Sequence, residues 1–91
     1  MARPVDNKKV QELRSQAQAL DVTLHVGKNG VTPETVEELR GQLQRRKLVK
    51  VRLLRAATHE LGMDAQAQAL AEATDATLVE VRGGTAVLWR P

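Results

Sequence analysis

Val26-Gly27-Lys28-Asn29-Gly30-Val31-Thr32-Pro33-Glu34-Thr35 reads as the end of a strand, a glycine loop and the start of a helix. The apolar run Thr23-Leu24-His25-Val26 stops at Gly27, Gly30 breaks the chain again, and Thr32-Pro33-Glu34 opens the helix. The Thr32 hydroxyl can accept from free amides of the first turn, and Pro33 suits the first helical position, where no amide partner is needed. Val31 and Val36 stand at staple spacing on either side of that cap. Gly27 and Gly30 allow backbone conformations and close approaches that a Cβ would block, while Lys28 and Asn29 offer one positive charge and one amide between them. The loop therefore suits a phosphate backbone. A short G-x-x-G is also a plain structural turn, and the residues around it must weigh between the two readings.

Charge does that weighing. Residues 23 to 55 carry eight Lys or Arg against three Glu, a net of +5, whereas residues 1 to 22 net +1 and residues 56 to 91 net −3. The basic charge is concentrated in the segment that holds the glycine loop, the distribution expected for a polyanion partner. With 91 residues and a 42% hydrophobic share the chain builds one domain with a modest core. Residues 1 to 5 read as a flexible tail and residues 6 to 91 as the domain. The chain has no cysteine, which excludes disulfides and thiolate metal sites. It also has no bilayer-length apolar run and no leader of secretory type, so the expected location is the cytoplasm, with no membrane partner.

Before the loop, Val10, Leu13, Ala17 and Leu20 recur at helical spacing behind Asp6, a plausible cap, and predict a first amphipathic helix. The first strand is expected over Thr23 to Val26. The helix after Pro33 should bury Val36, Leu39 and Leu43, with Glu34, Glu37 and Glu38 near its start and Arg45, Arg46 and Lys47 near its end. That order complements the helix dipole, and the arginines are also candidates to contact RNA. Gly41 inside this helix suggests close packing there.

Leu48 to Leu54 alternates cleanly from Val49 to Leu53 and predicts a strand with one buried face and one cationic face carrying Lys50 and Arg52. Ala56 to Met63 reads as loop with room for one helical turn. Asp64 should cap an alanine-rich helix reaching about Thr74 and packing through Ala67, Leu70 and Ala71. Thr77 to Arg82 and Thr85 to Arg90 form a hairpin around Gly83-Gly84. A two-residue turn pairs Arg82 with Thr85 and continues to Val79 with Leu88 and Leu78 with Trp89. That places Val79, Val81, Ala86 and Leu88 on the core face, and Leu78, Glu80, Arg82, Val87 and Trp89 on the other. Trp89, the one aromatic residue, is a candidate platform for a base or sugar, or else a cover for the end of the core. The whole order is αβαβαββ, an α+β class with a mixed four-stranded sheet whose apolar face the helices cover.

His25-Val-Gly-Lys-Asn-Gly-Val-Thr, Arg46-Lys-Leu-Val-Lys-Val, Leu70-Ala-Glu-Ala-Thr, Leu78-Val-Glu-Val-Arg-Gly and Leu88-Trp-Arg-Pro91 together resemble a stand-alone CRM domain of the YhbY-like kind. The name stands for chloroplast RNA splicing and ribosome maturation. The resemblance runs from about Val10 to Pro91. It implies a fold similar to the carboxy-terminal domain of bacterial translation initiation factor three, and RNA binding connected with precursors of the large ribosomal subunit. The family's G-x-x-G maps onto Gly27, Lys28, Asn29 and Gly30. Ala56 to Asp64 departs from the family's pattern, and Trp89 stands where tyrosine is common.

The expected function is thus RNA binding without catalysis, on ribosomal RNA or pre-ribosomal particles. Gly27, Lys28, Asn29 and Gly30 would hold the sugar-phosphate chain, with Arg45, Arg46, Lys47, Lys50, Arg52 and Trp89 completing one continuous surface. A nucleotide-binding enzyme is the alternative of another class, but Gly27 to Gly30 lacks the spacing of an ATPase phosphate loop. His25 and His59 lack metal-ligand spacing, so no cofactor, metal, catalytic residue or small-molecule substrate is expected. A protein-interaction module is the third reading.

Overall fold

Seven elements form in the expected order in a computed structural model that describes residues 6–27, 30–54 and 62–91. They are α1 (Asn7–Ala17), β1 (Leu24–Val26), α2 (Pro33–Arg46), β2 (Leu48–Leu53), α3 (Met63–Ala73), β3 (Thr77–Arg82) and β4 (Thr85–Trp89). The expected tail at residues 1 to 5, and most of the loop expected after Arg55, lie outside the described residues. No helix among the described residues is long and apolar enough to cross a membrane.

Local signals set most of the boundaries. Asp6 caps α1 by accepting from the Lys9 amide at 2.8 Å. Thr32 caps α2 by accepting from the Thr35 amide at 3.2 Å, with Pro33 in the first turn. Val31 and Val36 both pack onto the core beside that cap, as the staple spacing requires. Helix α3 differs from expectation at its start. Gly62 is its N-cap, without a side-chain bond, and Asp64 lies in the first turn, where its charge complements the helix dipole instead of capping. At its far end Asp75 adopts φ 55°, and Ala76 donates its amide to the Ala71 carbonyl at 2.8 Å, closing a Schellman motif.

The sheet order is β1-β2-β4-β3, with β1 parallel to β2 and the other pairs antiparallel. Helix α2 makes the β1-to-β2 crossover. One face carries Val49, Val51, Leu53, Ala86 and Leu88 and packs on Leu39 and Leu43 of α2 and Ala67, Leu70 and Ala71 of α3. Buried Gln42 ties α2 to the approach of β1 by donating to the Thr23 carbonyl at 2.9 Å.

Three expectations need correction. The cationic face of β2 is not left open: Leu13 and Ala17 of α1 pack on Leu48, Val79 and Val87, so helices cover both sides of the sheet. The hairpin keeps the expected pairs Arg82 with Thr85, Val81 with Ala86 and Glu80 with Val87, then shifts, so that Leu78 faces Leu88 and Thr77 faces Trp89. This bulge turns Val79 to the α1 side and Leu78 to the opposite core. Both faces are apolar at that end of the sheet, so each of two adjacent apolar residues gains a buried site. Finally, the close packing expected at Gly41 is not what fills the space beside it: among the described residues a Cβ there would meet only the Arg45 guanidinium of its own helix, at 3.4 Å.

Candidate nucleic-acid interface

One end of the sheet gathers the features that an anionic chain could use. Val26 and Leu53 end β1 and β2 side by side, and the Leu54 amide donates to the Val26 carbonyl at 3.3 Å. The Leu53 amide donates to the Gly84 carbonyl at 2.7 Å, which brings the hairpin turn to the same end. Gly83 and Gly84 both hold positive φ, 57° and 82°, as a two-residue primed turn requires. The glycine loop leaves from here. Gly30 donates its amide to the Gly27 carbonyl at 3.0 Å, and Gly30 has φ 71°, a conformation that favours glycine. Gly27 is different. It is exposed, and among the described residues a Cβ there would meet nothing within 4 Å. Lys28 and Asn29 lie outside the described residues.

Arg52 belongs to this end. It is exposed on β2, in register with His25 of β1 and Thr85 of β4, and Thr85 is in register with Arg82 of β3. Partners directly across a ladder share a face, so His25, Arg52, Thr85 and Arg82 form one row on the α1 side of the sheet. Spacing in the sequence could reveal Arg52 by alternation. Placing Arg82 and His25 beside it needs the strand order.

The other proposed contacts lie elsewhere. Arg45, Arg46 and Lys47 are exposed at the C-terminal end of α2, on the order of 20 Å from its capped start for a 14-residue helix. The single continuous surface expected from the sequence is therefore two cationic regions at opposite ends of α2. Lys47 itself holds φ 69° and ψ −38°, outside the regions favoured by residues with a Cβ. Lys47→Gly should raise stability by about 0.5–1 kcal/mol by relieving that backbone. A urea midpoint that falls would show the lysine conformation to be unstrained.

Lys50 is half-buried, and its ammonium donates to the carbonyls of Ala17 at 3.2 Å and Leu20 at 3.4 Å. It closes the C-terminal end of α1, where a cation meets the negative end of the helix dipole. Trp89 is half-buried in the α1 cluster, with the Lys9 ammonium 5.1 Å from its ring centroid. The Lys9 ammonium lies over one face of that ring. Among the described residues no group of three or more histidines or carboxylates could hold a metal ion.

Comparison with known proteins gives these positions a context. The sequence pattern of the CRS1 / YhbY (CRM) domain matches residues 5–90. A protein of Methanocaldococcus jannaschii named as a probable RNA-binding protein is 35% identical over 89 residues, 98% of this chain. The chain spans 66% of that relative's length. The solution structure of a hypothetical protein from Staphylococcus aureus, described as a candidate RNA-binding protein, superposes with a TM-score of 0.82 at 28% identity. That match covers 97% of this chain and 90% of the other.

Proposed function

The chain belongs to the CRS1 / YhbY (CRM) domain family, and from that membership we propose that it is an RNA-binding protein, a cytoplasmic assembly factor acting on precursors of large-subunit ribosomal RNA. The contact begins at the glycine loop. The observation that carries this reading is the seating of Gly27 and Gly30 at the shared end of β1 and β2, next to the capped start of α2 and the exposed Arg52. Amides of a first helical turn and a positive dipole end favour an anion, and Lys28 adds a full charge from within the loop. Arg45, Arg46 and Lys47 form a second region that a structured RNA of sufficient span reaches as well. Attraction through so many phosphate contacts falls steeply with added salt. Contacts of this kind position the RNA without reading its bases.

Gly27 supplies the test. Among the described residues nothing fills the space of a Cβ at Gly27, and its backbone is not held at positive φ, so Gly27→Ala should fold normally. The variant is expected to be within about 0.5 kcal/mol of the parent, or slightly more stable through its less flexible unfolded chain. If the RNA backbone lies against this glycine, the added methyl lowers affinity several-fold, with the salt dependence unchanged because no charge is lost. Titration of a fluorescent ribosomal RNA fragment measures both. An unchanged dissociation constant would remove the loop from the interface.

A further inference from the structure

We propose that Arg82 and Thr85 carry the RNA-binding surface across the end of the sheet, so that a sugar-phosphate chain runs perpendicular to the strands, from the glycine loop past Arg52 to the hairpin turn. The inference rests on the RNA-binding reading above and gives it a direction and a far boundary.

Two adjacent rows of side chains on the α1 side of the sheet differ in how their charges are met. In one, Lys50 pairs across the ladder with Val87, and Val87 with Glu80. Both charges of that row are answered within the fold. The Lys50 ammonium closes the carbonyl end of α1, and Glu80 accepts Arg14 at 3.5 Å. In the next row, toward the strand ends, stand His25, Arg52, Thr85 and Arg82. Among the described residues neither Arg52 nor Arg82 pairs with a carboxylate. Both are exposed, and the half-buried Thr85 places a hydroxyl between them.

Strands lie about 4.8 Å apart, so Arg52 and Arg82, on strands separated by β4, stand about 10 Å apart at the backbone. Long guanidinium side chains at that distance can hold neighbouring phosphates of one strand, each by paired N–H donors. The row begins on β1, the strand that feeds the glycine loop, and ends next to Gly83. Four strands thus give a track of about 14 Å, with a basic loop at one end and an arginine at the other. A protein partner matching this row would need a line of carboxylates. The net +5 of residues 23 to 55 and the family membership favour the phosphate chain.

Binding of a ribosomal RNA fragment should be compared for the parent, Arg82→Gln, Arg82→Lys and Lys8→Gln. Lys8 is exposed at the start of α1, next to Lys9, which lies over Trp89 at the opposite end of β4 from Thr85, and its replacement removes the same net charge. Arg82→Gln should lower affinity about tenfold at low salt and reduce the slope of log affinity against log salt by about 0.7 to 0.9. Arg82→Lys should keep the slope and lose part of the affinity, and Lys8→Gln should change affinity less than twofold. The cysteine-free chain also permits a unique photo-crosslinker at Thr85→Cys, expected to capture RNA, against Ala65→Cys on the exposed part of α3, expected not to. Equal effects of Arg82→Gln and Lys8→Gln with no crosslink from position 85, in a parent that still binds, would overturn the track alone. A parent that binds no RNA would overturn the track and the function together.

Discussion

Truncating Leu70 to alanine should lower folding free energy by about 3–4 kcal/mol, within the range seen when a fully enclosed leucine leaves a cavity. Leu70 of α3 has 0% exposure and shares its core cluster with Leu39, Leu43, Val49, Val51 and Leu88, drawn from α2 and two strands. Those neighbours belong to separate elements held by the sheet, so they cannot close the gap by moving one side chain. The loss is large against the roughly 5–14 kcal/mol that a domain of this size holds in total. Leu13→Ala should cost less, about 2 kcal/mol, because the α1 cluster is smaller and edged by half-buried Val10, Leu20 and Trp89, which can settle into the space. Trp89 makes the two losses distinguishable. As the one aromatic residue of the chain it reports the α1 side alone, whereas far-ultraviolet circular dichroism reports α1, α2 and α3 together. In urea, Leu13→Ala should show tryptophan emission changing before the helical signal, and Leu70→Ala should show both together at a much lower midpoint. Coincident transitions in Leu13→Ala would mean that α1 undocks only with the whole domain. A Leu70→Ala midpoint close to the parent's would mean that the larger core is not tightly packed.

Features written in neighbouring residues were legible in the sequence. Thr32 and Pro33 state where α2 begins, Asp6 does so for α1, and Gly83-Gly84 state where the hairpin turns, because each acts through its own backbone. The order of elements and the mixed sheet follow from the same kind of signal. What depended on packing was hidden. Alternation from Val49 to Leu53 shows that Lys50 and Arg52 share a face, but not that the end of α1 arrives over Lys50 and leaves Arg52 free. The bulge at Val79 exists because both sides of the sheet are covered, and a hairpin read as one-sided has no reason to slip there. Arg82 could be placed opposite Thr85 from the turn alone. Its position in line with Arg52 required β4 to lie between β2 and β3, a matter of strand order that no local pattern contains.

Arg52→Glu is expected to weaken RNA binding about 100-fold at low salt while leaving stability within about 0.5 kcal/mol of the parent. Losing one guanidinium contact accounts for about tenfold, and a carboxylate facing phosphates in its place repels them by a similar factor. Both effects are screened, so the deficit should shrink toward about tenfold or less as salt approaches 1 M, where the Debye length is about 3 Å. Stability is spared because the side chain is exposed and has no described carboxylate partner to lose. Lys50 gives the opposite signature from a position only two residues away. Lys50→Gln withdraws the ammonium from the Ala17 and Leu20 carbonyls at the end of α1, so it should cost about 1–2 kcal/mol of stability and change RNA affinity little. The two residues alternate on one strand with the same charge, and only the arrival of α1 separates their roles. If Lys50→Gln proves the stronger binding defect and Arg52→Glu the stronger folding defect, then RNA displaces α1 from the sheet, and the contact lies on the surface that α1 covers.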